Sequence, residues 1–395
     1  METSPYTAYD NSQGIKGPPS RFIHGNSKQV TQMKKEASSK HMGLTDDLFP
    51  RLQPHIYSWL KTYGKNYLYW NGAQAELVIS QAELVISQAE LVISEPELVK
   101  EVLKNSGKVF VKRKPTDLGS KLLGNGLVAV EGEKWVKQRK LANQVFHGES
   151  LKNMTPAMIT SVDNASKVER LRSYLEGEKM FNMLNKSTII VIRNIFATRI
   201  PFIRYQVMKS TDLKEAEELE KGIQACVMEI VKKREDKVVI GEELVDECKT
   251  FYLAGQDTVN SLLGWTVLLL SIHRDWQEKA RREVIEIFGD QNPHPEGIPK
   301  LKTLNVHLFK LERFANGVAK ATNYNAAAYF PFGLGPRSCV GMAFATTEAK
   351  IALSMILQRY TMTLSPAYVH RPVLLISLRP QHGIHVILES QHIHA

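Results

Sequence analysis

Cys339 lies in the run FGLGPRSCVG, where Phe332, Gly335, Arg337, Cys339 and Gly341 are fixed points within ten residues, directly ahead of the helical stretch GMAFATTEAKIALSMILQRY. A cysteine just before a helix N-terminus has backbone N–H groups and the positive end of the dipole aimed at its sulfur, which favours the thiolate. Glycines let the loop turn tightly and allow a flat macrocycle to approach the backbone. An arginine presents a planar fork suited to a carboxylate on such a ligand. A buried structural cysteine in a glycine-rich turn would explain none of the other positions.

Two further sets could serve the same chemistry. Ala254, Gly255, Gln256, Asp257 and Thr258 form AGQDT within a long apolar stretch. A glycine costs about 1 kcal/mol inside a helix, so its place beside an acid and an alcohol asks for a reason. Trp135 and Arg139, in EKWVKQRK, are spaced to share one helix face. Read alone, that segment is better explained as a solvated basic helix.

The elements that must carry these residues are mostly helical. ELVDECKTFYLAGQDTVNSLLGWTVLLLSIH predicts a long core helix over Glu243 to His273, and a second helix starts at Asp275, with Glu278 three residues on. IYSWLKTYGKNYLYWNG reads as a helix followed by a strand, and the tail LLISLRPQHGIHVILE as a hairpin. QAELVIS occurs three times in tandem over 74–94. Its Leu, Val and Ile are adjacent and make no a/d seam, so the repeat reads as a strand-like segment copied in frame, without a function of its own. Ser94, Pro96 and Glu97 then open a helix.

With 395 residues, 43% hydrophobic and 23% charged, the chain has the composition of a globular protein with a sizeable core. Its three cysteines, Cys226, Cys248 and Cys339, show no CxxC pairing, which argues against a disulfide scaffold or zinc site and for a reducing, cytosol-facing setting. The 12 histidines show no metal-ligand spacing. No stretch reaches the roughly 18 apolar residues of a membrane span. A net charge of +10 is spread along the chain without a nucleic-acid motif, so no nucleic-acid partner is expected.

The cysteine run, AGQDT and W-x-x-x-R together resemble the cytochrome P-450 superfamily of haem-thiolate monooxygenases, and the likeness extends over most of the sequence. Glu312, Arg313 and Phe314 in FKLERF resemble the PERF segment, with Leu311 in place of its proline, and LRPQHG resembles a substrate-pocket loop. The resemblance implies a mainly α fold, a helical prism with small β-sheets, here incomplete. It implies haem b, with Cys339 as the axial thiolate and only metal ligand. Phe332 would shield the sulfur, Gly335 and Gly341 would shape the loop, and Arg337, Trp135 and Arg139 would hold propionates. Asp257 and Thr258 would relay protons to dioxygen; Val259 stands where a second hydroxyl residue is usual.

The implied reaction inserts one oxygen atom of O2 into a small lipophile, a hormone, terpenoid or similar, with NADPH electrons delivered by a flavoprotein reductase. Lys134, Lys137 and Lys140 would favour a reductase with an acidic docking face. The wording resembles plant microsomal members, which sit on the cytosolic face of the endoplasmic reticulum membrane. The anchor usual before a hinge such as Gly17 to Pro19 is missing from the arm 1–20, so a cytoplasmic location is the alternative expectation for this chain.

The remainder, 21–395, reads as one domain that departs from the pattern. Near 162–174 it is compressed. At 305–306 KLKTLN runs straight on, with no E-x-x-R helix between the oxygen-binding helix and the cysteine loop. E-x-x-R does occur at Glu169 to Arg172 and Glu278 to Arg281, both read as coincidence. The alternative function is therefore a catalytically incompetent relative, truncated or spliced, that binds haem poorly or not at all.

Overall fold

The computed structural model describes residues 16–19, 25–64, 67–71, 74–78, 96–107, 109–112, 115, 117–166, 172–194, 210–232, 241–304 and 317–391. FKLERF, most of the repeat, Ser94 and Glu169 lie outside the described residues. The chain gathers into two compact units, residues 1–104 with 369–383, and residues 105–368 with 384–395.

The first unit opens with α1 (Ser27–Ser39), α2 (Phe49–Leu52), α3 (Pro54–Tyr63), β1 (Tyr67–Asn71), β2 (Gln74–Val78) and α4 (Pro96–Lys104). Pro54 and Pro96 each stand at a first helical position, where the missing N–H costs nothing. Gly64 ends α3 with φ 88°, a conformation that suits glycine. The expected helix-then-strand order follows, and α3 buries His55 and Trp59 against Tyr67 and Tyr69 of β1. The first QAELVIS copy supplies β2, which pairs antiparallel with β1 from Tyr67↔Val78 to Asn71↔Gln74.

The second unit carries α5 (Asp117–Leu123), α6 (Gly132–Val145), α7 (Gly148–Ser166), α8 (Arg172–Arg193), α9 (Ser210–Lys232), α10 (Glu242–Ile272), α11 (Arg274–Phe288), α12 (Val318–Ala321), α13 (Met342–Arg359) and β3 (Tyr360–Leu364). The chain then contributes β4 (Pro372–Leu374) and β5 (Leu378–Pro380) to the first unit and ends the second with β6 (Val386–Ser390). Helices dominate and, among the described residues, every sheet has two strands, in accord with the expected mainly α class.

The tail differs from the single hairpin expected. β4 and β5 close on each other, while β6 pairs with β3 from Tyr360↔Ser390 to Leu364↔Val386. β3 leaves α13 directly and offers a five-residue partner that buries Met362 completely. The three-residue β4 offers a shorter ladder.

α10, α11 and α13 meet in one core through Leu270, Ala280, Val284, Phe288, Ile351, Leu353, Met355 and Leu357. Leu301 and Leu304 of KLKTLN are buried in the same core, each such side chain contributing about 2 kcal/mol. Arg281, read as incidental in the sequence, is buried and has a structural role. It donates to the carbonyl of Leu357, to Tyr360 O at 3.0 Å and to Thr361 Oγ1 at 3.1 Å, and it pairs with Glu278 at 3.2 Å. It thereby occupies carbonyls that the C-terminal end of α13 leaves without intrahelical donors. Lys350 ties the middle of α13 to Leu301 O at 2.9 Å.

Candidate active site

The cysteine loop is built from short hydrogen bonds. Cys339 N donates to Phe332 O at 2.7 Å and Ser338 N to Gly335 O at 3.1 Å. Gly333 and Gly335, with φ of 73° and 78°, make the turns that a side chain would strain. Gly341 caps α13, so Cys339 precedes the helix by two residues and its exposed thiol stands near the first free N–H groups. A Cβ at Gly341 would lie 4.0 Å from Cys339 Sγ, and the glycine keeps that space open.

Two arginines fix this loop to α6 and the segment before it. Arg139 Nη1 donates to Ser338 O at 2.5 Å. Burial lowers the Arg139 guanidinium below its usual value, while the neighbouring Cys339 sulfur acts the other way. Arg337 Nη2 donates to Val130 O at 2.9 Å and pairs with Glu131 at 2.6 Å. Its guanidinium lies over the Trp135 ring, 4.6 Å from the centroid, a cation–π contact. The W-x-x-x-R spacing thus places both side chains against the cysteine loop.

Cys339 opens onto a cavity of about 670 Å³, a size typical of small-molecule sites. Of the residues singled out in the sequence, Trp135, Arg139, Thr258, Arg337, Cys339 and Gly341 line it, as do Gly255 and Gln256. Leu127, Phe146, Phe251, Val259, Leu263 and Phe344 give it apolar walls. A Cβ at Gly255 would meet nothing within 4 Å, so this helical glycine leaves room on the wall. Thr258 Oγ1 donates to Ala254 O at 2.7 Å.

Asp257, Phe332 and Gly335 are not on the cavity wall. Asp257 is buried, 2% exposed, on a different side of α10 from Thr258. Phe332 and Gly335 act through their carbonyls, which accept from the loop. Of the three lysines on α6, Lys137 and Lys140 are exposed, whereas Lys134 pairs with Glu243 at 3.1 Å.

The structure adds two ionisable residues to the cavity that the sequence reading passed over, Lys112 and Glu348. Lys112 Nζ donates to Val128 O at 3.1 Å, and burial, then Arg337, lower its ammonium below the usual range against the pull of Glu131. Burial pushes the Glu348 carboxyl up. Neither belongs to a motif; α13 brings Glu348 round by helical phase alone.

The residues present fit a flat dicarboxylate macrocycle bound through sulfur. The thiol faces the cavity, glycines leave space beside it and on α10, and the buried Arg337 Nε has no acceptor among the described residues. Lys112, Arg139 and Arg337 place three cationic side chains on the wall, a setting that suits carboxylates. Cys339 is the one cysteine on the wall.

Comparison with known proteins agrees with this geometry. The chain matches the family described as Cytochrome P450 over residues 83–200, 202–308 and 305–384. It is 39% identical to Cytochrome P450 CYP749A22 of Panax ginseng over 487 aligned positions, covering 95% of this chain and 90% of that protein. It is 32% identical to 11-oxo-beta-amyrin 30-oxidase of Glycyrrhiza uralensis, covering 96% and 91%, and 31% identical to Cytochrome P450 72A68 of Medicago truncatula, covering 96% and 91%. The aligned positions outnumber the 395 residues here, so these relatives carry segments without a counterpart in this chain. Loop, cavity and sequence likeness together establish that the chain belongs to the cytochrome P450 family of monooxygenases.

Proposed function

We propose that the protein is a haem-thiolate monooxygenase of a polycyclic terpenoid or a lipophile of similar size, with Cys339 as the iron ligand. The observation that carries this reading is the Cys339 thiol opening onto a largely apolar cavity it shares with Thr258, Trp135, Arg139 and Arg337. Bound haem supplies the reductive activation of dioxygen and the transfer of one oxygen atom to substrate. Arg337, Arg139 and Trp135 are the residues to hold its propionates, and Lys112 lies on the same wall. Leu127, Phe146, Phe251, Leu263 and Phe344 exclude water and seat an apolar substrate, while Thr258 presents a hydroxyl to the cavity. The relative named for oxidising 11-oxo-beta-amyrin supports a terpenoid substrate.

Electrons would come from NADPH through a flavoprotein reductase, for which exposed Lys137 and Lys140 on α6 offer a positive face. Among the described residues no helix is long and apolar enough to cross a membrane. The family's usual site on the cytosolic face of the endoplasmic reticulum remains part of this proposal.

The test is a carbon monoxide difference spectrum of the haem-supplied, reduced chain beside Cys339→Ser. A red-shifted Soret band that the substitution abolishes is expected, followed by product formation from 11-oxo-beta-amyrin-type triterpenoids with reductase and NADPH. A band of histidine-ligated or free haem would overturn the reading in favour of a catalytically incompetent relative.

A further inference from the structure

The segment 126–131 links α10 to the cysteine loop and carries two cavity-wall residues, Leu127 and Val128. Its backbone also places cations of that wall. Val128 O accepts from Lys112 Nζ at 3.1 Å and Val130 O from Arg337 Nη2 at 2.9 Å, and Glu131 pairs with Arg337 at 2.6 Å. The attachment to α10 is polar and close. Leu127 N donates to Glu247 Oε2 at 3.1 Å, and just upstream Lys121 O accepts from the buried Lys249 Nζ at 3.0 Å. A Cβ at Gly126 would collide with Thr250 Oγ1, so the glycine allows the segment to lie against the helix.

Glu247 itself is off the cavity wall. Its Oε2 takes the Leu127 N–H, while its Oε1 is buried without a hydrogen-bond partner among the described residues. Burial pushes this carboxyl up, and the Leu127 N–H acts the other way. Desolvating a carboxyl offsets much of what one hydrogen bond returns. The contact is therefore a weak source of stability and a firm constraint on where Leu127 sits.

We propose that Glu247 is a positioning residue: by holding the Leu127 N–H it fixes segment 126–131, and with it the apolar wall at Leu127 and the Val130 carbonyl that orients Arg337. Loss of the acceptor frees the segment, loosens the wall and weakens the grip on bulky apolar ligands. The part concerning ligands at the iron rests on the haem-thiolate reading of the site.

Two measurements on the full chain test it, with Glu247→Leu and Glu247→Gln. Leucine keeps the bulk and removes the acceptor, whereas the carboxamide keeps an acceptor oxygen and is neutral, the form that burial favours. The first measurement is amide hydrogen exchange without ligand. Glu247→Leu should speed exchange about tenfold from Leu127 through Val130, with α11 and α13 unchanged, and Glu247→Gln should restore slow exchange. Faster exchange confined to Leu127 overturns the proposal, as does a Glu247→Gln profile no better than that of Glu247→Leu. Should Glu247→Leu not fold, Glu247→Ala takes its place. The second measurement is optical titration of haem-loaded variants whose carbon monoxide band matches the wild type, with imidazole and with a bulky apolar azole. Imidazole reports access to the iron alone, whereas the azole also needs the wall. Glu247→Leu should raise the azole Kd several-fold and leave the imidazole Kd in place, with Glu247→Gln near wild type. An unchanged azole Kd, or equal rises for both probes, overturns the proposal. A wild type without the thiolate band overturns the haem-thiolate reading instead, and amide exchange then decides the role of Glu247.

Discussion

Arg337 holds the cysteine loop to the segment before α6 through Val130 O and Glu131, and it covers the Trp135 ring. Arg337→Ala leaves the Glu131 carboxylate without this ion pair and removes one of the residues proposed to hold a propionate. The expected cost is about 2 kcal/mol of stability, lowered from a fully buried pair because Glu131 is partly exposed. Haem occupancy, read as Soret absorbance per chain, should fall in parallel with the urea midpoint. Residues of this kind were legible in the sequence because their spacing is local, five positions in one loop and two on one helical turn. Glu348 was not legible, since a lone glutamate in an apolar helix has no pattern around it. Its meaning depends on which turn of α13 meets the cavity. Asp257 shows the converse: it is adjacent to Thr258 in sequence, yet one residue is about 100° of helical rotation, and that puts it off the wall.

At the scale of elements, α11 determines how α13 ends. Arg281 occupies carbonyls of Leu357 and Tyr360, and Gln277 donates to Leu270 O and Met362 O, each at 2.9 Å. Arg281→Leu should cost about 3 kcal/mol by stranding buried carbonyls, seen as a lower urea midpoint with the carbon monoxide band position unchanged in the fraction that folds. The tandem repeat belongs to this scale too. β2 uses only Gln74–Val78 of the first copy. Because the exact repeat reads in the sequence as an in-frame copy without a function of its own, deleting a later copy, Gln81–Ser87, should shift stability by no more than about 0.5 kcal/mol. A loss of several kcal/mol in denaturation would show that the later copies carry structure of their own. Helix positions were readable because apolar periodicity is a local property. The pairing of β6 with β3 was not, because both strands have a suitable pattern and only the emergence of β3 from α13 decides the partner.

For the whole molecule, two ionisable groups, buried His55 and half-buried Glu348, bend the pH dependence of stability in opposite directions. His55, packed between Trp59 and Tyr69, is pushed down to about 4 by burial and then by Lys34. Unfolded histidine takes up a proton at its ordinary value while the folded ring does not, so this contribution is complete above that value and is lost as pH falls toward 4. The loss is about 2 kcal/mol after allowance for solvent screening, and His55→Phe should flatten the acid limb of urea midpoint against pH. Glu348 works the other way. Its raised carboxyl keeps a proton that the unfolded chain releases, so stability falls as pH rises above the ordinary carboxylate range, and Glu348→Gln should remove that slope. By itself the sequence determined the family and the helical class, since each rests on residue types at short, fixed spacing. Only the tertiary structure decided which side chains share the cavity, that Glu348 and Lys112 are among them and Asp257 is not, and that Arg281 clamps the end of the cysteine helix. Those outcomes depend on helix rotation and on contacts between residues far apart in the chain, where many packings satisfy the same local pattern and burial selects one.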